Sequence, residues 1–357
     1  MRTAIPALLV SAVLLMVACR KDKEVDDTPT SSGPTPASLN LPSWVIDSIG
    51  QGHAGVGNPL TVEGIALGRL LFYDPLLSDN FTQSCATCHV QSSGFSDPQA
   101  FSVGTNGSVG GRNAMAVINL AWDEHFFWDG RRHSLEGQVH DPVTNPIEMR
   151  NTWPVVVQRL QTHPTYPDLF QKAFGTTTVD SNLVVNAIAQ FERTMVSFNS
   201  PFDRFFYLGD STALNYQEQR GLQVFMRDGH CVDCHREPLM NDHGLRNNGL
   251  DMISADPGYA AITGDPNDAG KFKVPTLRNI GQSAPYMHDS RFTTLGQVVS
   301  FYAHDVQVDN PLIDAHMDPW RFGQVNLSPE NEADLVAFLH TLTDQGFLTD
   351  PSFSDPH

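Results

Sequence analysis

Two short stretches decide the reading of this chain: Cys85-Ala86-Thr87-Cys88-His89 and Cys231-Val232-Asp233-Cys234-His235. Both have the spacing Cys-x-x-Cys-His, the attachment motif of c-type haem. The two thiols form thioethers to the haem vinyl groups, and the adjacent histidine supplies the proximal nitrogen to iron. A single Cys-x-x-Cys also fits a redox dithiol or half of a zinc site. Two copies, each followed by histidine, are much harder to explain that way. The chain has only five cysteines, and the fifth, Cys19, lies near the N-terminus. The expectation is two covalently bound haem c groups, with His89 and His235 as proximal iron ligands.

Working outward, Met1–Ala18 carries Arg2 and then an apolar run. The run is too short for a comfortable membrane span and reads as an export signal. It ends Met16-Val17-Ala18-Cys19, which resembles a bacterial lipoprotein processing site. That resemblance implies cleavage before Cys19, lipids on Cys19, and a periplasmic enzyme anchored to a membrane. An ordinary secreted leader cut somewhat later is the plainer alternative. Arg20–Ser38 is rich in Lys, Asp, Thr, Ser and Pro and reads as a flexible tether. Residues 39–57 are expected to pack across the body. Acidic residues outnumber basic ones 40 to 22, for a net charge of -18. That balance argues against nucleic acid as a partner. It leaves room for a small basic protein partner.

The rest reads as mainly α, with two cytochrome c-like haem domains and long loops. Domain one is expected over 58–200 and domain two over 201–350, with the boundary near Ser200-Pro201-Phe202-Asp203. Ahead of the first motif, Val62–Tyr73 shows apolar positions at 62, 65, 66, 70, 72 and 73, a helix-like stripe. Asn215–Met226 precedes the second motif and ends in Leu222, Val224 and Phe225. Closing helices follow each motif. Asp180-Ser181 caps a helix over Asn182–Val196. Ser328 and Pro329 open another, with acids in its first turn and with Leu335, Val336, Phe338 and Leu339 expected to be buried. Phe191-Glu192-Arg193-Thr194 and Phe338-Leu339-His340-Thr341 look like equivalent turns. Gly94–Arg112 and Asp256–Lys273 read as long loops, as expected where a large cofactor replaces part of the core.

Further blocks stand in a consistent order. They include Phe126-Phe127-Trp128-Asp129-Gly130-Arg131, Asn145-Pro146-Ile147-Glu148-Met149, Val274-Pro275-Thr276-Leu277-Arg278-Asn279 and Ala284-Pro285-Tyr286-Met287-His288-Asp289. In these the chain resembles the bacterial dihaem cytochrome c peroxidases and the MauG-type dihaem enzymes, over about 60–345. The resemblance implies reduction of hydrogen peroxide with electrons from a small cytochrome c or cupredoxin. It makes Glu148 the distal acid–base residue and Gln138 a distal donor. Trp128 is placed between the haems. Asn113, Ser283 and Pro285 become ligands of a calcium ion, and a homodimer is a common state of such enzymes. On the residues alone, Glu148 also fits a solvated helix or loop acid, Gln138 part of an amphipathic stretch and Trp128 an inter-domain packing anchor.

The chain departs from the family pattern twice. Where many relatives carry a histidine that caps the first haem, Ser102-Val103-Gly104-Thr105-Asn106-Gly107 places Thr105, a poor ligand. The first haem is then expected to be open in the ferric state, unless His125, His133 or His140 steps in. Fourteen residues after His288, where the peroxidases carry a methionine ligand, stands Tyr302, as in MauG-type enzymes. Met287 and Met317 are its rivals for the second iron. Three functions follow: a peroxidase, a MauG-like oxidation of a protein or small molecule, and plain dihaem electron transfer.

Overall fold

The computed structural model describes residues 33–53 and 57–357. The leader, Cys19 and most of the tether lie outside the described residues. The tether stops sooner than expected. Ala37 N–H donates to Leu60 O at 2.9 Å and Val62 N–H to Thr35 O at 2.9 Å. The Thr35 hydroxyl also donates to Glu63 at 2.8 Å, so residues 35–37 belong to the body.

Helix α1, Ser43–Ile49, follows. Val45 is buried there in one cluster with Leu39, Leu60, Trp122, Phe198 and Leu239. Trp44 stacks on Tyr207 with ring centroids 3.9 Å apart. The segment therefore packs across both halves of the chain. Four helices follow that matter for the first half and its boundary: α2, Val62–Tyr73; α3, Leu135–Thr144; α4, Ser181–Thr194; and α5, Pro201–Phe206. In the second half, α6 is Tyr216–Gln223 and α7 is Pro329–His340. A two-residue antiparallel pair, β1 Leu245–Arg246 with β2 Phe272–Lys273, lies between them.

The local start signals act as the sequence predicts. Asp180 accepts hydrogen bonds from the Asn182 and Leu183 N–H groups, and Ser328 accepts from Asn331 N–H. Each satisfies a donor that the first helical turn leaves free.

The buried face of α2 is a correction. The expected stripe included Val62, which is 52% exposed. The face that packs is Gly64, Leu67, Gly68, Leu71 and Phe72. Glycine decides it, because α2 crosses α4 at backbone distance. A Cβ on Gly68 would overlap the Ala187 carbonyl oxygen and come within 2.9 Å of Phe191 Cβ. The same crossing recurs between α6 and α7. A Cβ on Gly221 would overlap the Asp334 carbonyl oxygen and reach Phe338 Cβ at 2.7 Å. Phe191 and Phe338 are thus structural equivalents, as their sequence contexts predict. Val336 is only half-buried; Asp334 is buried in its neighbourhood and takes a bidentate pair from Arg220 at 2.7 and 2.8 Å.

The two halves are not cleanly separate, and residues 33–357 form one compact unit. Ser200 caps α5 where the boundary was expected. Three residues later, Asp203 is fully buried and holds the equally buried Arg278 through two bonds of 2.9 Å. The chain end then returns to the first half: Phe347, Leu348 and Phe353 join its core. Arg69 Nε donates to the Ser354 carbonyl at 2.8 Å, and Tyr73 O–H to the Phe353 carbonyl at 2.6 Å.

Candidate functional site

A cavity of about 630 Å³ runs between the halves, and both Cys-x-x-Cys-His motifs line it. Each histidine is oriented the same way. His89 Nδ1 lies 2.9 Å from the Phe95 carbonyl oxygen, and His235 Nδ1 lies 3.1 Å from that of Met240. With the proton on Nδ1, each ring donates to its carbonyl and leaves Nε2 as a free lone pair. That is how metal-binding histidines are usually held. The four cysteines are unpaired. Burial pushes the Cys231 and Cys234 thiols up to about 12, and raises Cys85 and Cys88 as well. Neutral thiols in an apolar cavity beside two free imidazole nitrogens fit two thioether-linked haems.

The first half supplies Glu148 and Gln138 to the cavity wall. Gln138 sits on α3, which also contains Pro142. Proline has no N–H for the Gln138 carbonyl, so the helix loses its bond there. The Gln138 amide makes no hydrogen bond among the described residues. Glu148 lies on the turn after α3. Asn145 Nδ2 donates to Glu148 Oε1 at 2.6 Å, and Thr105 N–H donates to the Glu148 carbonyl at 3.0 Å. Burial raises the Glu148 carboxyl above its ordinary value, partly opposed by Arg131 and by the Asn145 bond. Gly104 permits the loop to close on this turn, since a Cβ there would overlap the Ile147 carbonyl oxygen.

Thr105 itself does not line the cavity, although Gly104 and Val103 do. None of the three stand-in histidines lines it either. His125 packs on His133 at 5.0 Å, and His140 on Trp153 at 5.1 Å. Among the described residues, the cavity histidines besides the two proximal ones are His230 and His288, both from the second half.

Trp128 is fixed at the seam. Its indole N–H donates to the Asn113 carbonyl at 2.8 Å, and its own carbonyl accepts from Lys273 N–H of β2 at 2.8 Å. Its ring lies 6.4 Å from that of His288, which stacks on Phe272 at 3.8 Å. Arg112 crosses the seam to Asp256 with bonds of 2.7 and 2.8 Å. Asn113, Ser283 and Pro285 line the same cavity. The Asn113 amide nitrogen donates to Gln99 O at 3.4 Å, which leaves its amide oxygen for a hard cation.

In the second half, Tyr302 lies in a widened helical turn, Phe301–Asp305. Such turns recur at functional sites. Its hydroxyl accepts from Asn248 Nδ2 at 2.8 Å, and burial pushes it up to about 12. Met317 and Met287 also line the cavity. Two further cavity residues escaped the sequence reading. Trp320 donates its indole N–H to the Tyr302 carbonyl at 2.7 Å. Glu192 is a buried acid on α4. Its signal was present in the paired turns, where an acid stands opposite Leu339.

The comparisons agree with this geometry. The family model described as "Di-haem cytochrome c peroxidase" matches residues 62–212. The chain is 38% identical over 288 residues to the methylamine utilization protein MauG of Methylorubrum extorquens, covering 80% of this chain and 79% of that protein. It is 34% identical over 293 residues to the cytochrome c551 peroxidase of Nitrosomonas europaea, covering 80% and 81%. Among solved structures, a MauG-like protein associated with microbial copper homeostasis superimposes with a TM-score of 0.75 at 31% identity, covering 92% of this chain and 98% of that one. The diheme peroxidase BthA of Burkholderia thailandensis shares the fold, with a TM-score of 0.68 at 22% identity over 84% and 91%. No helix among the described residues is long and apolar enough to cross a membrane. With two haem c attachment sites facing one cavity, this chain belongs to the dihaem cytochrome c peroxidase family of oxidoreductases.

Proposed function

We propose that this protein reduces hydrogen peroxide to two waters, taking two electrons from a small periplasmic cytochrome c or cupredoxin. The observation that carries the reading is Glu148: a half-buried cavity carboxyl with one oxygen held by Asn145. The first haem, held by Cys85, Cys88 and His89, supplies the iron site for peroxide and a store of oxidising equivalents. Glu148 takes the proton from one peroxide oxygen and delivers it to the other, so that water leaves as the O–O bond breaks. The free Gln138 amide orients peroxide. Trp128 bridges the seam for electrons, and its position on Asn113 links it to the proposed calcium site of Asn113, Ser283 and Pro285. Cys231, Cys234 and His235 would hold the second haem, with Tyr302 as a further protein ligand to its iron. The Thr105 side chain and His125, His133 and His140 lie off the cavity wall, so none of them would cap the first haem, and its peroxide side would be open without reductive pretreatment. The enzyme works in the periplasm, anchored through a lipid on Cys19.

Tyr302 favours a second reading. A phenolate stabilises ferric iron and makes this haem a poorer entry point for electrons than a methionine-ligated one. That suits a MauG-like oxidation of a protein or small molecule. The test is peroxide-dependent oxidation of pre-reduced small cytochrome c by the fully ferric, haem-loaded protein, without reductive pretreatment. Rapid turnover supports the peroxidase with an open first site. Failure to consume the donor overturns that assignment and leaves the MauG-like reading.

A further inference from the structure

The repeat of the α2–α4 and α6–α7 crossings gives a residue-by-residue comparison of the two haem sites. Because Phe191 and Phe338 occupy the same place in their crossings, the next residues, Glu192 and Leu339, also correspond. Both line the cavity, and both are buried, at 4% and 7% exposed. One half thus carries a carboxyl where the other carries a hydrocarbon. Glu192 Oε2 is buried without a hydrogen-bond partner. A carboxyl in that state costs several kcal/mol if charged, which is the usual mark of a functional group rather than a packing residue.

Arg193, its neighbour on α4, partly offsets the Glu192 charge. Its Nη2 is bonded at 2.7 Å to Glu136 of α3, its Nη1 is buried without a hydrogen-bond partner, and no hydrogen bond or ion pair joins it to Glu192 among the described residues. Asn58 Nδ2 holds the same Glu136 oxygen at 2.8 Å. On α2, Glu63 bonds Thr35 and Arg69 bonds the tail carbonyls. Arg159, on the helix Trp153–Thr162, bonds the carbonyls of Leu76, Ser78 and Asp79. Asp168 and Lys172, on the helix Tyr166–Phe174, are exposed. Glu148 and Arg131 line the cavity, and the Cys85 thiol of the first motif feels the Glu192 charge. Burial first, and then Glu136, push the Glu192 carboxyl up to about 8, with Arg193 opposing. Glu136 is one-quarter exposed and pairs with Arg193.

We propose that Glu192 is the proton-holding residue of the first haem site: its carboxylate takes one proton from solvent when that haem gains an electron, and returns it when the haem loses the electron. The physical reason is charge balance. The ferric site carries one more positive charge than the ferrous site, and only the ferric site favours an anion beside it at low dielectric. The second haem, facing Leu339, lacks this device. Glu192 is a positioning and tuning residue and not a group that touches peroxide. The inference rests on haem at the first motif and not on the peroxidase reading.

The test is a spectroscopically resolved redox titration of both haems, from about pH 6 to about pH 10, a range that brackets the raised carboxyl. The first haem's reduction constant is expected to fall about tenfold per pH unit within that range, about 59 mV per unit for one electron. Both E192Q and E192L should flatten this slope, while E148Q keeps it. In the wild-type protein, an infrared redox-difference spectrum should show a protonated-carboxyl band gained on reduction. A flat wild-type profile, a slope that survives in both Glu192 variants, or a wild-type spectrum without the carboxyl band overturns the proposal. The infrared test uses the unmodified holoprotein, so a missing band overturns the proposal even if both variants fail to load haem; where the band is present, its persistence in E148Q assigns it to Glu192 and its loss there overturns the proposal.

Discussion

Asn145 donates its side-chain N–H to Glu148 Oε1 at 2.6 Å, within one turn that also bonds Glu148 N–H back to the Asn145 carbonyl at 3.1 Å. The bond favours the charged carboxyl, while burial disfavours it. Glu148 must be ionised to accept the peroxide proton, so the rate should rise with pH through its raised value. Asn145→Ala removes a group that lowers the value, and the acid limb of the kcat profile should move to higher pH. Glu148→Gln should lower kcat by about 10²- to 10⁴-fold, the range for a lost acid–base group. An unmoved acid limb in Asn145→Ala would sink this coupling.

Gly104 lets the 102–110 loop close on the Glu148 turn. In Gly104→Ala the added methyl overlaps the Ile147 carbonyl oxygen, and either the loop or the turn must shift. Overpacking of this kind costs about 1–3 kcal/mol. Peroxide turnover is expected to drop at unchanged haem content, measured by steady-state kinetics on haem-normalised protein. Wild-type turnover would show that the Glu148 turn does not depend on the loop.

Trp128 carries both an electronic and a structural role in this reading, and Trp128→Phe separates them. Phenylalanine keeps an aromatic ring, though a smaller one, and has no N–H, so the Asn113 carbonyl gives up a bond of 2.8 Å. An unsatisfied group of this kind costs about 1–3 kcal/mol. Electron equilibration between the haems should slow, as read by rapid-mixing absorption after partial reduction. An unchanged rate would reduce Trp128 to a packing residue.

Tyr302 and Met317 are distinguishable by spectrum. Tyr302→Phe should change the absorption bands of the second haem and raise its reduction potential, while Met317→Leu leaves both in place. The reverse pattern would make Met317 the ligand.

Asp203 and Arg278 are fully buried and pair through two bonds. Asp203→Asn strands the guanidinium charge and should destabilise the holoprotein by about 3–5 kcal/mol. Replacing both, as Asp203→Asn with Arg278→Met, should recover part of that loss. Thermal denaturation of the loaded protein checks both. Equal Tm values for the single variant and the wild type would contradict the assigned role.

What the amino-acid sequence determined by itself was local. The covalent haem sites lie within five-residue spans, so spacing alone specified them. Asp180 and Ser328 cap their helices through N–H groups two or three residues away, which needs no tertiary partner. The equivalence of Phe191 and Phe338 was legible because each sits in a short turn of similar pattern. Tertiary structure decided the rest. The buried face of α2 follows from how near α4 approaches Gly68, and hydrophobic periodicity does not encode that distance. The return of Phe347 and Phe353 to the first core, and the pairing of Asp203 with Arg278, depend on contacts between residues far apart in the chain. Glu192 was legible only as an acid in one of two paired turns; the helix crossing decides its burial, at 4% exposed, in the cavity wall.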